Sequence, residues 1–328
     1  MGEEVKTKKK DLGIFYTDQR IVNFIYDILL IWKEEENKKS KRWNKKNPSV
    51  IDPAVGEGVF LKTAIEKGFT KPDWVFGLDL DKEVVEKWKK INLLHSFGGN
   101  KEDLEAHFFC QNGLDKIHWE QHKKKYSYKL KGEDIKNQQF DTVVGNPPYG
   151  GVGLGGIEMS DVLVDQLTKF QILPEEIANK LVFANRQTDI FNFKKSIKAG
   201  PQIKQRLASF PIEVLFIDRF IQLAKPGGFI AVVIPDGILA NSNLQYARTF
   251  ITRKAKVAAI VSLPRDAFKH VGTAAKTSIL FLQKYSDEEQ KNVSLDYPVF
   301  LSAAEEINED NLKIISDLYQ KFYNQGTI

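Results

Sequence analysis

Seven short apolar runs, separated by stretches with helical periodicity, constrain the fold of this chain more than any other feature of its sequence. Runs of this length, rich in β-branched and aromatic residues, are typical of strands that are buried on both faces. Their alternation with helices indicates that most of the strands are parallel. We therefore predict an α/β fold built on a mostly parallel, seven-stranded sheet. The predicted strands are Ser49–Asp52, Trp74–Asp79, His107–Gln111, Asp141–Gly145, Phe229–Ile234, Val257–Leu263 and Thr277–Leu282.

Helices are predicted before and between these strands. Thr17 is expected to cap the first helix, whose apolar residues recur at the spacing of one buried face. Gly68 and Gly227 are expected to end two of the others. The apolar positions of the first helix are Ile21, Val22, Ile25, Ile28, Leu29 and Trp32. The other predicted helices are Phe60–Lys67, Lys82–Leu93, Pro211–Ala224 and Leu244–Lys254.

The composition argues against several classes of protein. No run approaches the roughly 18 to 20 consecutive apolar residues that a membrane helix needs, and the first ten residues lack the apolar core of a secretion signal. We therefore expect a cytoplasmic protein without a membrane partner. Cys110 is the only cysteine and the chain has only five histidines, so no metal site is expected.

The net charge of +5 is small, but the positive residues occur in clumps. Such clumps suit DNA, because each phosphate that is neutralised releases condensed counterions. A solvated loop surface explains any single clump equally well. The clumps are Lys6–Lys10, Lys38–Lys46 and His122–Lys125.

The string D-P-A-V-G-E-G, from Asp52 to Gly58, lies between the first predicted strand and a helix. Glycines in such a turn let the backbone approach a ligand closely, and the following helix directs N–H groups at it. The next strand ends at Asp79, where nucleotide-binding sheets place an acid that accepts hydrogen bonds from ribose hydroxyls. We predict Asp79 as a ribose ligand and Asp81 as the cap of the following helix. The glycine-rich segment Gly151–Gly156 is interpreted as a mobile loop rather than a second nucleotide site.

The tetrapeptide Asn146-Pro147-Pro148-Tyr149 directly follows a predicted buried strand. Two prolines hold the backbone extended and remove two N–H donors, which leaves carbonyl oxygens directed into a cleft. The Asn146 amide oxygen and the Pro147 carbonyl can then accept both hydrogens of an exocyclic amine. The amine nitrogen regains electron density and can attack a methyl sulfonium without a strong base. Tyr149 offers a ring on which a base stacks, worth about 1 to 3 kcal/mol.

In this order, the motifs resemble those of the gamma class of amino-group DNA methyltransferases, which includes type I modification subunits and the methylase part of type IIG enzymes. The similarity covers roughly Gly13 to Ala304, and the segment Gly13–Thr17 lies upstream of the glycine turn, as the displaced cofactor motif of that class does. The resemblance implies the Rossmann-like fold of class I S-adenosylmethionine-dependent methyltransferases. It also implies methylation at N6 of an adenine that is flipped out of double-stranded DNA.

The resemblance further implies roles for individual residues. Thr17 would touch the methionine end of the cofactor. Asn112 stands where relatives usually carry an aspartate that accepts from the adenine amine of the cofactor, and its amide oxygen can still accept, without the charge. Phe268, in a late motif, would clamp the flipped base opposite Tyr149, or it is a core residue. The residues implied to line the cofactor pocket are Tyr16, Thr17, Asp52, Pro53, Ala54, Gly56, Gly58, Asp79, Asn112 and Asn146.

Other amines remain as alternative substrates, because N4 of cytosine, protein glutamine N5 and guanine N2 of RNA are methylated by enzymes with the same or a related tetrapeptide. A subunit that binds DNA without catalysis is the alternative from another class. The intact tetrapeptide and the upstream segment Gly13–Thr17 favour a DNA methyltransferase.

We divide the chain into a flexible basic tail (1–10), a methyltransferase catalytic domain (11–285) with an insertion at about 150–210, and a C-terminal extension (286–328). We expect no complete target-recognition domain in the region after the catalytic domain. We therefore expect a separate specificity subunit, or a missing downstream domain, to supply recognition in a restriction-modification or phage-defence system.

Overall fold

The computed structural model describes residues 17–39, 47–81, 83, 105–118, 139–149, 165–173, 205, 207, 210–269 and 275–325. The basic tail, Tyr16, almost all of the predicted helix Lys82–Leu93 and the glycine segment Gly151–Gly156 lie outside these residues. Most of the basic clumps and most of the insertion lie outside them as well.

The described strands form one sheet of eight. They are β1 (Val50–Asp52), β2 (Val75–Asp79), β3 (Phe108–Cys110), β4 (Phe140–Gly145), β5 (Ala224–Pro235), β6 (Ala255–Ser262), β7 (Thr277–Lys284) and β8 (Phe300–Ala303). The described helices are α1 (Gln19–Lys39), α2 (Val59–Glu66), α3 (Ile212–Leu223), α4 (Gly237–Ala240), α5 (Gln245–Lys254) and α6 (Glu309–Asn324). Three 3₁₀ turns cover Pro72–Trp74, Ser242–Leu244 and Glu289–Lys291.

The strand order is β3-β2-β1-β4-β5-β7-β6-β8. All neighbouring strands are parallel except that β7 runs antiparallel between β5 and β6. The predicted α/β class and mostly parallel sheet are confirmed. The predicted number of strands is wrong by one, because β8 escapes a search for apolar runs: its four residues alternate between half-buried and exposed.

The sheet is covered on both faces. One apolar cluster joins the sheet to α1, α2 and α6, and the other joins it to α3 and α5. The six predicted apolar positions of α1 are all buried. Residues 286–328 supply both β8 and α6, and α6 packs on α1. Among the described helices, none is both long enough and apolar enough to cross a membrane.

Two of the predicted helix ends need correction. Asp18, not Thr17, caps α1, since its carboxylate accepts from the Arg20 N–H at 2.8 Å. Gly68 follows α2 with a left-handed φ of 66° and donates to the Ile65 carbonyl, as expected of a helix end. Gly227 does not end α3, because that helix stops at Leu223 and the chain enters β5 directly, so Gly227 lies inside the strand.

Candidate active site

The carboxyl ends of four neighbouring strands bring the predicted site residues to one edge of the sheet. In the order β3-β2-β1-β4 these strands are parallel, so the residues that follow them lie side by side. Asn112 follows β3, Asp79 ends β2, Asp52 ends β1 and Asn146 follows β4. The edge therefore collects two carboxylates and two amides, a set that can bind ammonium, hydroxyl and amine groups.

The turn between β1 and α2 is tied to the neighbouring strand. Gly56 and Gly58 adopt left-handed φ angles of 48° and 80°, which explains the need for glycine there. The Val55 N–H donates to the Leu78 carbonyl at 3.0 Å, and the Gly56 N–H donates to Asp79 Oδ2 at 2.8 Å. These two hydrogen bonds hold the turn against β2.

Asp52 is a buried carboxylate at the base of this turn, with 1% of its surface exposed. Its Oδ1 accepts from the Ala54 N–H at 2.9 Å, while Oδ2 has no hydrogen-bond partner among the described residues. Burial raises the pKa of Asp52 to about 8, the charge of Asp79 adds to this rise, and the Ala54 N–H opposes it. A cationic ligand group beside Oδ2 would reverse the shift, because an opposite charge favours the ionised form.

Asp79 is only half-buried, and both of its oxygens accept backbone hydrogen bonds. Oδ2 accepts from Gly56 and Oδ1 accepts from the Asp81 N–H at 2.9 Å. The predicted ribose ligand therefore also shapes the glycine turn. Asp81 accepts from the Glu83 N–H at 2.9 Å, as the predicted cap would, although the helix itself lies outside the described residues.

The turn after β3 lies directly on the turn after β1. Asn112 Oδ1 accepts from the Leu114 N–H at 3.0 Å. A Cβ atom on Gly113 would lie 1.9 Å from the Pro53 carbonyl oxygen, so only glycine allows the two turns to touch. Gly113 is a site residue that the sequence reasoning missed, since its spacing marks it only as one glycine in a loop.

Arg219, on α3, is a second residue that was missed. It is buried, and its guanidinium donates to the carbonyls of Gly113 and Asp115. Burial lowers the pKa of Arg219 to about 10, and the nearby carboxylates of Asp115 and Asp218 raise it, so the side chain stays charged at neutral pH. The sequence feature that could have identified Arg219 is the adjacent Asp218-Arg219 pair in the middle of an otherwise mostly apolar helix.

Asn146 is half-buried at the end of β4 and meets the N-terminal side of α1. Its Nδ2 donates to Thr17 Oγ1 at 3.1 Å. The preceding Gly145 lies so close to Asp52 that an added Cβ would be 2.6 Å from Asp52 Oδ1. Thr17, Asn146 and Asp52 are thus brought together although 129 residues separate the first two in sequence.

The two residues that are predicted to clamp the flipped base are buried. Tyr149 and Phe268 are both 0% exposed, and Phe268 belongs to the apolar cluster on the α1 face of the sheet. Burial raises the pKa of Tyr149 well above its usual range, and the Asn146 side chain opposes this rise, so the phenol is neutral. In this structure neither ring offers an open face, so a stacked base would require local movement. In the tetrapeptide, Pro147 is buried and Pro148 is half-buried.

The described residues contain no group of three or more histidine, cysteine, aspartate or glutamate side chains placed to hold a metal ion.

Comparison with known proteins identifies relatives of this chain. The family described as N-6 DNA Methylase matches residues 1–326. The type II methyltransferase M.BanIII of Aneurinibacillus aneurinilyticus is 25% identical over 266 residues, which cover 80% of this chain and 37% of that protein. The chain spans less than half of the length of the curated relatives it matches.

Two solved structures share the fold. A chain from Listeria monocytogenes, assigned to the class I S-adenosylmethionine-dependent methyltransferases, has a TM-score of 0.53 at 19% identity, covering 98% of this chain and 77% of that one. The methyltransferase subunit of a type I restriction-modification system from Streptococcus thermophilus has a TM-score of 0.53 at 16% identity, covering 94% of this chain and 53% of that one. The predicted class I methyltransferase fold is confirmed.

Proposed function

This chain belongs to the N-6 DNA methylase family, and from that premise we propose that it transfers a methyl group from S-adenosylmethionine to N6 of an adenine in double-stranded DNA. The observation that carries the proposal is the contact between Asn146 and Thr17 beside the buried carboxylate of Asp52. The contact supports the proposal because the tetrapeptide that would bind the amine lies next to the turn that would bind the cofactor.

The residues at the sheet edge fit S-adenosylmethionine in charge and in hydrogen-bonding capacity. Asp52 Oδ2 is buried and lacks a partner among the described residues, so it suits a positively charged group such as the ammonium of the methionine end. Asp79 would bind the ribose hydroxyls and Asn112 the adenine amine, while Thr17 would line the methionine end. Pro53, Ala54, Gly56 and Gly58 would form the wall of the pocket, and Tyr16 would complete it.

Asn146 orients the target amine in this mechanism. Its Nδ2 donates to Thr17, and its Oδ1 would accept a hydrogen from N6 of adenine. The Pro147 carbonyl would accept the second hydrogen, so the two acceptors together would orient the nitrogen lone pair. Bound S-adenosylmethionine supplies an electrophilic methyl group on a sulfonium. A fixed acceptor costs no reorganisation during the reaction, and one preorganised group of this kind is worth about 10²- to 10³-fold in rate.

The adenine must leave the duplex to reach Asn146, at a cost of a few kcal/mol of unstacking and unpairing. Tyr149 would stack on the extruded base, with Phe268 opposite it, once local movement exposes the rings. A separate specificity subunit or a downstream domain would select the DNA sequence, in a restriction-modification or phage-defence system. We propose the cytoplasm as its location, where such DNA would be reached.

Modified-base sequencing tests this proposal in cells that lack their own adenine methylation. DNA is compared from cells that express the wild type or Asn146→Ala, each with and without the neighbouring genes. We expect N6-methyladenine in a defined sequence with the wild type, and a loss of at least about 10²-fold with Asn146→Ala. Asn146→Asp keeps an acceptor oxygen and should retain more activity than Asn146→Ala.

Asn292→Ala is the matched control, because Asn292 is exposed in a loop far along the chain from the tetrapeptide. It should methylate as the wild type does. N4-methylcytosine in place of N6-methyladenine would contradict the assigned base. Equal modification by the wild type and Asn146→Ala would exclude the catalytic role, and a purified wild type that binds cofactor and DNA but modifies neither base would favour a non-catalytic subunit.

A further inference from the structure

Arg219 is a buried charged residue that donates hydrogen bonds to a single turn of the chain. Only 4% of its surface is exposed. Its Nε donates to the Gly113 carbonyl at 2.9 Å and its Nη2 donates to the Asp115 carbonyl at 2.5 Å. One guanidinium on α3 thus binds two backbone oxygens of the turn that follows β3.

The turn held by Arg219 is the one that carries Asn112. The Asp115 N–H donates to the Asn112 carbonyl at 3.0 Å and closes the turn. The Leu114 N–H donates to Asn112 Oδ1 at 3.0 Å, which fixes which end of the amide is the oxygen. Gly113 rests on the Pro53 carbonyl on one side, and Arg219 supports the turn from the side of α3.

We propose that Arg219 is a positioning residue for the adenine of the cofactor: by holding the turn 112–115, it keeps Asn112 Oδ1 where it accepts a hydrogen from the adenine amine. This inference rests on the proposed function, because it takes S-adenosylmethionine as the ligand. Arg219 does not touch the ligand, and it acts only through Asn112.

The chemistry of arginine suits this role. Its planar guanidinium presents several donors in a fixed geometry, so it can bind two carbonyls of one turn at once. Lysine presents a point charge on a flexible chain and cannot reproduce this fork. Of the carboxylates that stabilise the charge of the buried guanidinium, Asp115 contributes more than Asp218.

Asp218 provides an internal comparison, because it is buried next to Arg219 on α3 but serves another segment. Its Oδ2 accepts from the N–H groups of Gln171 and Ile172 at 2.6 and 2.9 Å. A substitution of Asp218 therefore disturbs the same helix without removing a bond to the turn 112–115.

The test compares binding of S-adenosylhomocysteine with binding of S-inosylhomocysteine, which carries a carbonyl oxygen where adenine has its amine. Calorimetry on the full chain gives both dissociation constants for the wild type, Arg219→Lys, Arg219→Met and Asp218→Asn. The wild type should prefer the adenosyl ligand by about tenfold, since the inosyl ligand loses one hydrogen bond and sets two oxygens against each other.

Arg219→Lys and Arg219→Met should reduce this preference to about threefold or less, mainly by weakening adenosyl binding, while Asp218→Asn keeps the preference of the wild type. A folded Arg219 variant with full preference would overturn the proposal, and so would a wild type that binds both ligands equally. Asn112→Ala gives an independent check if the Arg219 variants do not fold: it must lose the same preference, and retention refutes the proposal. A wild type that binds neither ligand would instead contradict the proposed function.

Discussion

The two halves of the sheet differ in what they bury. In the site half, β3-β2-β1-β4, every strand is parallel and the strand ends lead into turns with carboxylates, amides and close-packed glycines. In the packing half, β5-β7-β6-β8, one strand is antiparallel and the sheet buries aromatic rings against α1 and α6. This difference indicates that the carboxyl ends of the parallel strands form the site. Because these strand ends contribute little stability, the stability of the fold comes from elsewhere in the sheet.

Buried polar groups explain why the site half needs this support. Asp52 is buried with one oxygen that has no partner among the described residues, which disfavours folding in its ionised form. In the packing half, Trp32 lies against Phe229 with ring centroids 4.4 Å apart, and its indole N–H donates to the Tyr319 hydroxyl at 2.5 Å. Because these two polar atoms bind each other, burial of the Trp32 and Tyr319 rings leaves neither of them unpaired.

The largest predicted effect comes from truncating Tyr319, which packs with Trp32 in the packing half. Tyr319→Ala removes a ring that is 0% exposed and leaves the Trp32 N–H buried without its acceptor. We expect the free energy of unfolding to fall by about 3 to 5 kcal/mol, as measured by denaturant unfolding. Below the melting transition, cofactor affinity should stay within about twofold of the wild type.

Leu318→Ala is the control for this substitution, since Leu318 is next to Tyr319 but 47% exposed. It should change stability by no more than about 0.5 kcal/mol. A large loss of cofactor affinity in folded Tyr319→Ala would break the separation between the two halves.

Gly113→Ala tests the site half, where the expected effect is on binding. The added Cβ would lie 1.9 Å from the Pro53 carbonyl, so the turns after β1 and β3 must move apart. Overpacking of this kind costs about 1 to 3 kcal/mol, and we expect a loss of cofactor affinity of about 10- to 100-fold, measured by calorimetry. Unchanged affinity in a folded variant would show that the contact between the turns does not shape the pocket.

The pH dependence of cofactor binding tests the charge at Asp52. Its folded pKa, about 8, lies above the value of 3.8 for an unperturbed aspartate, so the folded protein binds the proton more tightly. The stability that this protonation contributes is complete at low pH and is lost as the pH rises toward 8, by at most about 1.4 kcal/mol per pH unit.

A cationic ligand group competes with that proton. From about pH 6 to about pH 7.5, cofactor affinity should therefore increase with pH, by at most about tenfold per unit. Asp52→Asn removes the titrating group, so its affinity should be weaker and nearly independent of pH in this range. A wild-type affinity that does not change with pH would mean that no cationic group binds at Asp52.

Most of the fold was predictable from local sequence, because each predicted strand and helix has its own pattern of apolar residues. The apolar runs predicted seven strands, and the periodicity of α1 predicted its buried face. The errors arose where local signals are degenerate or weak. Thr17 and Asp18 are both able to cap a helix, and only the folded chain shows Asp18 as the cap while Thr17 contacts Asn146. The edge strand β8 is short and half-exposed, so no apolar run marks it.

The candidate site was predictable where a residue directly follows a strand, and not where it depends on packing between distant elements. The placement of Asp52, Asp79 and Asn146 at one edge follows from parallel strands alone. Gly113 and Arg219 are different, because they are 106 residues apart and their role depends on how α3 lies against the turn after β3. No periodicity or motif in a single sequence contains that packing.

The smallest predicted effect concerns a second glycine, in the packing half, and sharpens the comparison with Gly113. Gly227 has a φ of 75°, but a Cβ added there would meet no atom within 4 Å. Gly227→Ala should therefore cost only the strain of a left-handed residue, about 1 kcal/mol in the free energy of unfolding, and should leave cofactor affinity unchanged. The same substitution at Gly113 meets no such backbone strain but a neighbouring carbonyl, so it should weaken binding as well as stability. If both variants lost stability equally and neither lost affinity, position in the sheet would not decide what a glycine does, and the division into a site half and a packing half would fail.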